Sequence, residues 1–347
     1  MSTSIKLAAV ALGWALVGEA MAAELTVISF GGAGKSAQDK AYYGPFQRAT
    51  GITVIGAEYN GEMAKIKAMV DSRSVSWDVV EVEPAALARG CDEGLFEKLD
   101  YSKIGNTADF LDGAVQRCGI GMNVWSIVLA YNADKLKTAP ASWKDFWDVK
   151  TFPGKRGLRK GAQDNLEFAL MADGVAPKDV YKVLATPAGV NRAFRKLDQL
   201  KPNVQWWEAG SQPPQFLVSG DVVMSSAYNG RISEARKEGK NLKVVWNGSV
   251  YNYDYWAIPK GSPRKHDALK FIRFAMQPVN QKAYADTIDY GVTHRKALQM
   301  LDTKTSSRDL PTSPRNLAVA LSEDTAFWVD RSEELEQRFN AWVAKPK

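Results

Sequence analysis

Short apolar runs alternate along this chain with stretches whose apolar residues recur every three or four positions, and the alternation starts at residue 24. Residues 25–30 (LTVISF) predict a strand, and GGAGKSAQ after it reads as a loop. KAYYGPFQRATG predicts a helix closed by Gly51, ITVIGAEY the next strand, residues 62–70 a helix and residues 77–84 (WDVVEVEP) another strand. GLFEKLDYSKI reads as a loop-rich edge, and residues 123–132 (NVWSIVLAYN) are the longest strand candidate. Repeated β-α-β spacing argues for a mostly parallel, doubly wound sheet.

A second block repeats the pattern. SWKDFWD predicts a short helix with Ser142 as N-cap, FPGKRGLRKG a turn and a strand, and residues 165–172, 177–184 and 191–200 three helices. NVQWWEAG, VVMSSAY, LKVVWN and residues 254–262 (DYWAIPKGS) predict four strands, with KHDALKFIRFAM and residues 280–286 as helices. Residues 330–342 predict a last helix, with Trp328, Phe339 and Trp342 as apolar anchors. Two α/β blocks without a linker imply a chain that crosses between them more than once, with a cleft at the crossing.

Within GDVVMSSAYNGRI, Val222, Val223 and Met224 read as a buried strand running straight into a helix that starts near Gly230. Loops at the carboxyl ends of strands in open α/β sheets face the ligand crevice, so Ser225, Ser226, Tyr228, Asn229 and Arg231 are candidates to face a cleft. A cation in the first turn of a helix opposes the helix dipole by roughly 0.3–1 kcal/mol, so the position of Arg231 points to an anion.

The first residues stand apart from this pattern. Lys6, a small apolar stretch over residues 7–18 and Ala20-Met21-Ala22 read as a secretory signal peptide, residues 1–22, whose apolar run of about 12 residues is too short to span a bilayer. The mature chain is then exported to the periplasm, and no membrane insertion is expected of it. Cys91 and Cys118 are the only cysteines, and in an oxidising compartment they are expected to form one disulfide, worth very roughly 3 kcal/mol on a chain-entropy argument. The net charge of +6 is spread among acids with no basic block, which speaks against nucleic acid.

Enzyme motifs are absent. The two histidines, His266 and His294, have no recognisable nucleophile beside them, and Gly34-Lys35-Ser36 fails as a P-loop because Ser29 stands where glycine is required. Tyr42 and Tyr43 read as packing residues inside a helix rather than iron ligands. No metal site and no cofactor are expected. What remains is a set of residues at strand ends: Phe30, Gly31 and Gly32, Trp125, Tyr228, Asp254 and Tyr290. Small residues after a strand let backbone amides approach a ligand, and aromatic faces beside a carboxylate suit an ammonium, at roughly 0.5–2 kcal/mol per ring.

These segments resemble the spermidine/putrescine-binding type of periplasmic solute-binding protein that serves ABC importers. The resemblance spans essentially the whole mature chain. It is carried by FQRATGITV from Phe46, WDVVEVEP from Trp77, VWSIVLAYN from Val124, SWKDFWD from Ser142 with FPGKRG from Phe152, AYNGRI from Ala227, DYWAIPKGS from Asp254 and TIDYGVTHRKAL from Thr287. It implies a type II periplasmic-binding-protein fold: two α/β lobes, each a mixed sheet flanked by helices, closing on ligand. Residues 23–131 with about 255–300 would form the first lobe, and 132–254 with about 301–347 the second.

The family's amine-binding carboxylate falls on Asp254, and its aromatics on Tyr228 and Tyr290. Two further carboxylates of polyamine binders fall near Gln163 and Leu166, with Asp164 and Glu167 each one residue off. The aromatic-rich loop after the first strand is replaced by FGGAGKS. With those acids displaced and Arg231 near Tyr228, the pattern resembles the subgroup that takes γ-aminobutyrate or 5-aminovalerate: Asp254 for the ammonium, Arg231 for the carboxylate, Tyr228, Trp125 and Trp207 as walls. A polyamine ligand is the alternative, and an enzyme on the same scaffold a lesser one. The expected partners are the small ligand and membrane permease subunits, with a chemosensory receptor sharing the same binding chemistry. The chain is expected to be a monomer.

Overall fold

In the computed structural model, residues 23–301 and 310–345 are described, so the expected signal peptide lies outside the described residues. Among the described residues ten strands join in a single sheet: β1 (Glu24–Ser29), β2 (Thr53–Glu58), β3 (Val79–Val82), β4 (Val115–Gln116), β5 (Gly119–Asn132), β6 (Arg156–Arg159), β7 (Val204–Trp207), β8 (Met224–Tyr228), β9 (Leu242–Ala257) and β10 (Leu321–Ser322). The main path runs β2-β1-β3-β9-β5-β8-β6-β7. At one end β2, β1 and β3 are parallel, and at the other β8, β6 and β7 are parallel. Between them β9 runs antiparallel to both β3 and β5, and β5 antiparallel to β8. The expectation of a mostly parallel sheet therefore holds for the two outer blocks and fails at the centre, where two long strands serve both.

Those strands correct the sequence reading. LKVVWN and the first four residues of DYWAIPKGS, expected in separate strands, belong to one strand, β9, which ends at Ala257, is 16 residues long and exceeds β5 with 14. The turn-like Asn247-Gly248-Ser249 is an irregularity inside the ladder: Leu129 faces Val245 while Ile127 faces Val250, and Gly248 takes a left-handed φ of 73° to absorb the excess. A second register shift lies between Gly121 and Asn123. All of β5 is buried, as a strand covered on both faces must be.

Two further segments differ from expectation. GGAGKSAQ is not a loop: a helix, Gly32–Gln38, starts directly after β1, entered through Gly31 and Gly32 at φ 78° and 58°, conformations open to glycine, and it buries Ala37 and Gln38. The strand placed at Val222 to Met224 is Met224–Tyr228, so Ser225 and Ser226 are buried ladder residues rather than loop residues. The helix KAYYGPFQRATG closes on Gly51 in the left-handed conformation, and Tyr42 in it stacks on Tyr284 at 5.3 Å. Cys91, on the helix Pro84–Asp92, is joined by a disulfide to Cys118, beside the start of β5.

Candidate functional site

Two sets of three parallel strands deliver residues to one cavity of about 380 Å³ at or just past their carboxyl ends. β1 brings Phe30, Gly31 and Gly32, β2 brings Asn60 and Gly61, and β3 brings Glu81 and Glu83. From the other block β6 brings Arg159, β7 is followed by Glu208 to Ser211, and β8 brings Tyr228 with Arg231 on the helix Asn229–Lys237. β5 and β9 cross the middle and contribute Trp125 and Asp254, and Tyr284 and Tyr290 complete the lining. A larger groove of about 440 Å³ beside the disulfide holds only exposed charges, Asp92, Arg117 and Asp330, and lacks convergent buried polar groups.

One end of the cavity is acidic. Asp254 is 8% exposed and accepts hydrogen bonds from Trp125 Nε1 at 3.0 Å and Asn123 Nδ2 at 3.4 Å, an arrangement fixed by the antiparallel pairing of β5 with β9. Glu81, 5% exposed, accepts from Gln38 Nε2 at 2.9 Å and from the Phe30 amide at 3.3 Å. The two carboxyls interact directly. Burial first, then Glu81 and Glu83, hold Asp254 well above the usual carboxylate range, and burial raises Glu81 in turn. Of two buried acids side by side, ionisation of one makes ionisation of the other harder.

The other end is basic. Arg231 Nη2 donates to the Gly31 carbonyl at 3.3 Å, and a β-carbon on Gly32 would collide with the Arg231 guanidinium, so glycine is required for this approach. Arg159 Nη1 donates to the Tyr228 hydroxyl at 3.1 Å and its Nη2 lies 3.9 Å from Glu83. Both arginines thus reach from the β6–β8 block to residues that follow β1 or lie beside β3. Tyr228 meets Trp125 edge-on, with centroids 5.6 Å apart. Tyr290 packs over Gly230, where any side chain would strike its ring, and burial pushes its hydroxyl up to about 12. Asn229 ties this corner down, accepting from the Ser126 amide at 3.0 Å and donating to the Asp289 carbonyl.

Of the residues singled out from the sequence, Phe30, Gly31, Gly32, Trp125, Tyr228, Arg231, Asp254 and Tyr290 line this cavity. Trp207, expected as a wall, does not: it is 1% exposed, stands behind Tyr228 at 6.0 Å and donates to Ser226. Sequence reasoning missed Glu81, Glu83, Arg159 and Tyr284. Glu81 was legible as a charge inside an apolar strand, and Arg159 as the last residue of β6, by the strand-end rule already applied to β1 and β8.

Strand ends of two parallel blocks converging on one cleft, with two long strands passing between them, define a solute-binding architecture, and the sequence agrees. The chain belongs to the family of bacterial extracellular solute-binding proteins, matched over residues 41–312. It is 60% identical to the γ-aminobutyric acid-binding protein of Pseudomonas aeruginosa over 96% of this chain and 95% of that one. The spermidine/putrescine-binding periplasmic protein of Escherichia coli is 26% identical over 76% of each chain. The crystal structure of an ABC transporter substrate-binding protein from Bradyrhizobium japonicum superposes with a TM-score of 0.86 at 38% identity, covering 92% of this chain and 99% of that one. Among the described residues no helix is long and apolar enough to cross a membrane.

Proposed function

We propose that this protein is the periplasmic substrate-binding component of an ABC importer and that its ligand is an ω-amino acid such as γ-aminobutyrate or 5-aminovalerate. The observation that carries the reading is the polarity of one cleft, with the Glu81–Asp254 carboxyl pair at one end and Arg231 at the other. A zwitterion with its charges separated by methylenes satisfies both ends at once. An uncompensated arginine facing a second ammonium would cost several kcal/mol if both were buried, of the order seen when a buried charge loses its partner. Trp125, Tyr228 and Tyr290 enclose the methylenes, and Phe30, Gly31 and Gly32 close the cleft above them. The ligand named for the Pseudomonas relative supports the same choice.

A polyamine is the second reading, favoured by four carboxylates in the lining, Glu81, Glu83, Glu208 and Asp254, against two arginines. The two lobes follow the two parallel blocks, with β5 and β9 as the crossing strands and the irregularities at Gly121 and Gly248 as points of bending. The protein binds without turnover, works as a monomer with membrane permease subunits, and reaches the periplasm after removal of residues 1–22. Thermal-shift titration tests the reading, because a ligand at a hundred times its Kd stabilises by about 2.7 kcal/mol. γ-Aminobutyrate and 5-aminovalerate are expected to raise the melting temperature and putrescine to leave it unchanged. A putrescine shift without a γ-aminobutyrate shift overturns the reading.

A further inference from the structure

Several acids outside the cavity lining are buried. Asp164, Glu167 and Glu323 are 1%, 0% and 6% exposed. Glu167 is held by the Tyr181 hydroxyl at 2.9 Å and Trp328 Nε1 at 2.8 Å, and Glu323 by Gln163 Nε2 at 2.9 Å and Asn252 Nδ2 at 3.0 Å. Asp164 has no such support: neither carboxyl oxygen finds a hydrogen-bond partner among the described residues, and its backbone holds a left-handed φ of 68°. A non-glycine residue occupies that conformation only when its surroundings impose it.

Arg159 ends β6, and its backbone carbonyl accepts from Asn165 Nδ2, next to Asp164, at 2.6 Å. Its side chain is 31% exposed and lines the cleft, five residues ahead of Asp164 in the chain. Tyr228 first, then Glu83, Asp164 and Glu323, hold its guanidinium in the charged form against partial burial. Among the charged groups that act most strongly on Asp164, Glu167, Glu83 and Glu336 repel and Arg159 alone attracts. A guanidinium cannot shed its proton to accommodate a neighbouring cation.

We propose that Arg159 is the residue that sets ligand selectivity: its guanidinium, bonded to the Tyr228 hydroxyl and 3.9 Å from Glu83, fills from the protein side the corner beside Glu83 that would otherwise draw the second ammonium of a diamine. The corner is thereby neutral toward the protein and repulsive toward a diamine, while the outward face of the same group favours a ligand that ends in a carboxylate. Selectivity of this kind comes from a built-in repulsion rather than from an extra attractive contact. The inference rests on the cleft being an ω-amino acid site with Glu81 and Asp254 at its amine end.

Isothermal titration of the full mature chain, stripped of ligand, with γ-aminobutyrate and with putrescine tests it in four proteins: wild type, Arg159→Met, Arg159→Lys and Arg159→Met/Glu83→Gln. Arg159→Met is expected to weaken γ-aminobutyrate and tighten putrescine, each by about tenfold or more, the scale of one desolvated charge pair. Arg159→Lys keeps the wild-type preference, and adding Glu83→Gln to Arg159→Met returns putrescine to its wild-type weakness. If Arg159→Met loses γ-aminobutyrate without gaining putrescine, Arg159 is an anchor only and the proposal is overturned; it is equally overturned if the double variant keeps the gain. Should Arg159→Met lose its cooperative melt, Arg159→Gln removes the charge while keeping hydrogen-bonding capacity, and the same gain is required of it. Failure of the underlying reading looks different: the wild type then binds no ω-amino acid, or binds it unchanged after Asp254→Asn.

Discussion

The two ends of the cleft are built on opposite plans. At the acidic end, Asp254 and Glu81 are almost fully buried, held by Trp125, Asn123 and Gln38, and in contact with each other. At the basic end, Arg231 and Arg159 are half-buried, long and flexible, and reach across to Gly31 and Glu83. The acidic end is preorganised by the ladder between β5 and β9; the basic end is assembled from two blocks. An end that is already in place supplies affinity for any amine, whereas an end that must be brought together discriminates among them.

Removing the fixed end is the strongest way to break this contrast. Asp254→Asn is expected to weaken every amine ligand, with or without a carboxylate, by about a hundredfold, as loss of a buried charge partner does. Calorimetry with γ-aminobutyrate and putrescine reads it directly, and a loss confined to one of them refutes the common role. Arg231→Ala acts on the assembled end and is expected to weaken carboxylate-bearing ligands by about ten- to a hundredfold while leaving plain amines untouched or improved. Equal losses for both ligand classes mean that Arg231 props the fold rather than meeting an anion.

Proton linkage sharpens the same comparison. The carboxyls of the acidic end are raised, so below their raised values a bound ammonium must displace a proton. Affinity is therefore lowest at acid pH and climbs as pH rises above the ordinary carboxylate value of about 4, by at most about tenfold per pH unit for each proton released. The climb ends at the raised value of the free site, and affinity falls again where the ligand amine itself loses its proton. Titrations between pH 5 and 8 are expected to show this slope in the wild type and its loss in Asp254→Asn. The smallest effect belongs to Trp207, which touches neither end: Trp207→Phe keeps the apolar body behind Tyr228 and is expected to change affinity by less than about threefold, a loss near 0.6 kcal/mol. A larger change would show that Tyr228 depends on the Trp207 bond to Ser226.

Much of the cleft was legible because parallel strands point their carboxyl ends the same way. That rule led from short apolar runs to Phe30, Gly31, Gly32, Tyr228 and Arg231 without knowledge of the sheet order. It was not carried through to Arg159, where the charges of KRGLRK give no contrast between a strand end and a solvated turn. Glu81 was passed over because VVEVE reads as a strand whose charges face solvent, while the fold buries both of its faces. Trp207 was misplaced because it adjoins Trp206, and alternation sends the two rings to opposite faces: Trp206 packs against Phe339 and Trp342. The meeting of Trp125 with Asp254 depends on a pairing across 129 positions, and nothing local to either segment encodes it. The unity of β9 was hidden by Gly248, since a turn-forming tripeptide and an irregularity inside a strand have the same composition.

The long central strands carry one more consequence, which concerns the order of events in capture. When two bodies turn about a shared axis, a group travels in proportion to its distance from that axis. Asp254 and Trp125 lie on β9 and β5, the strands that cross between the blocks, whereas Arg231 sits on a helix that follows β8. Under the proposed closure of the two blocks, the acid would keep nearly the same place while the guanidinium sweeps toward it. A ligand would then meet a stationary anchor first, with the cation arriving afterwards as the latch.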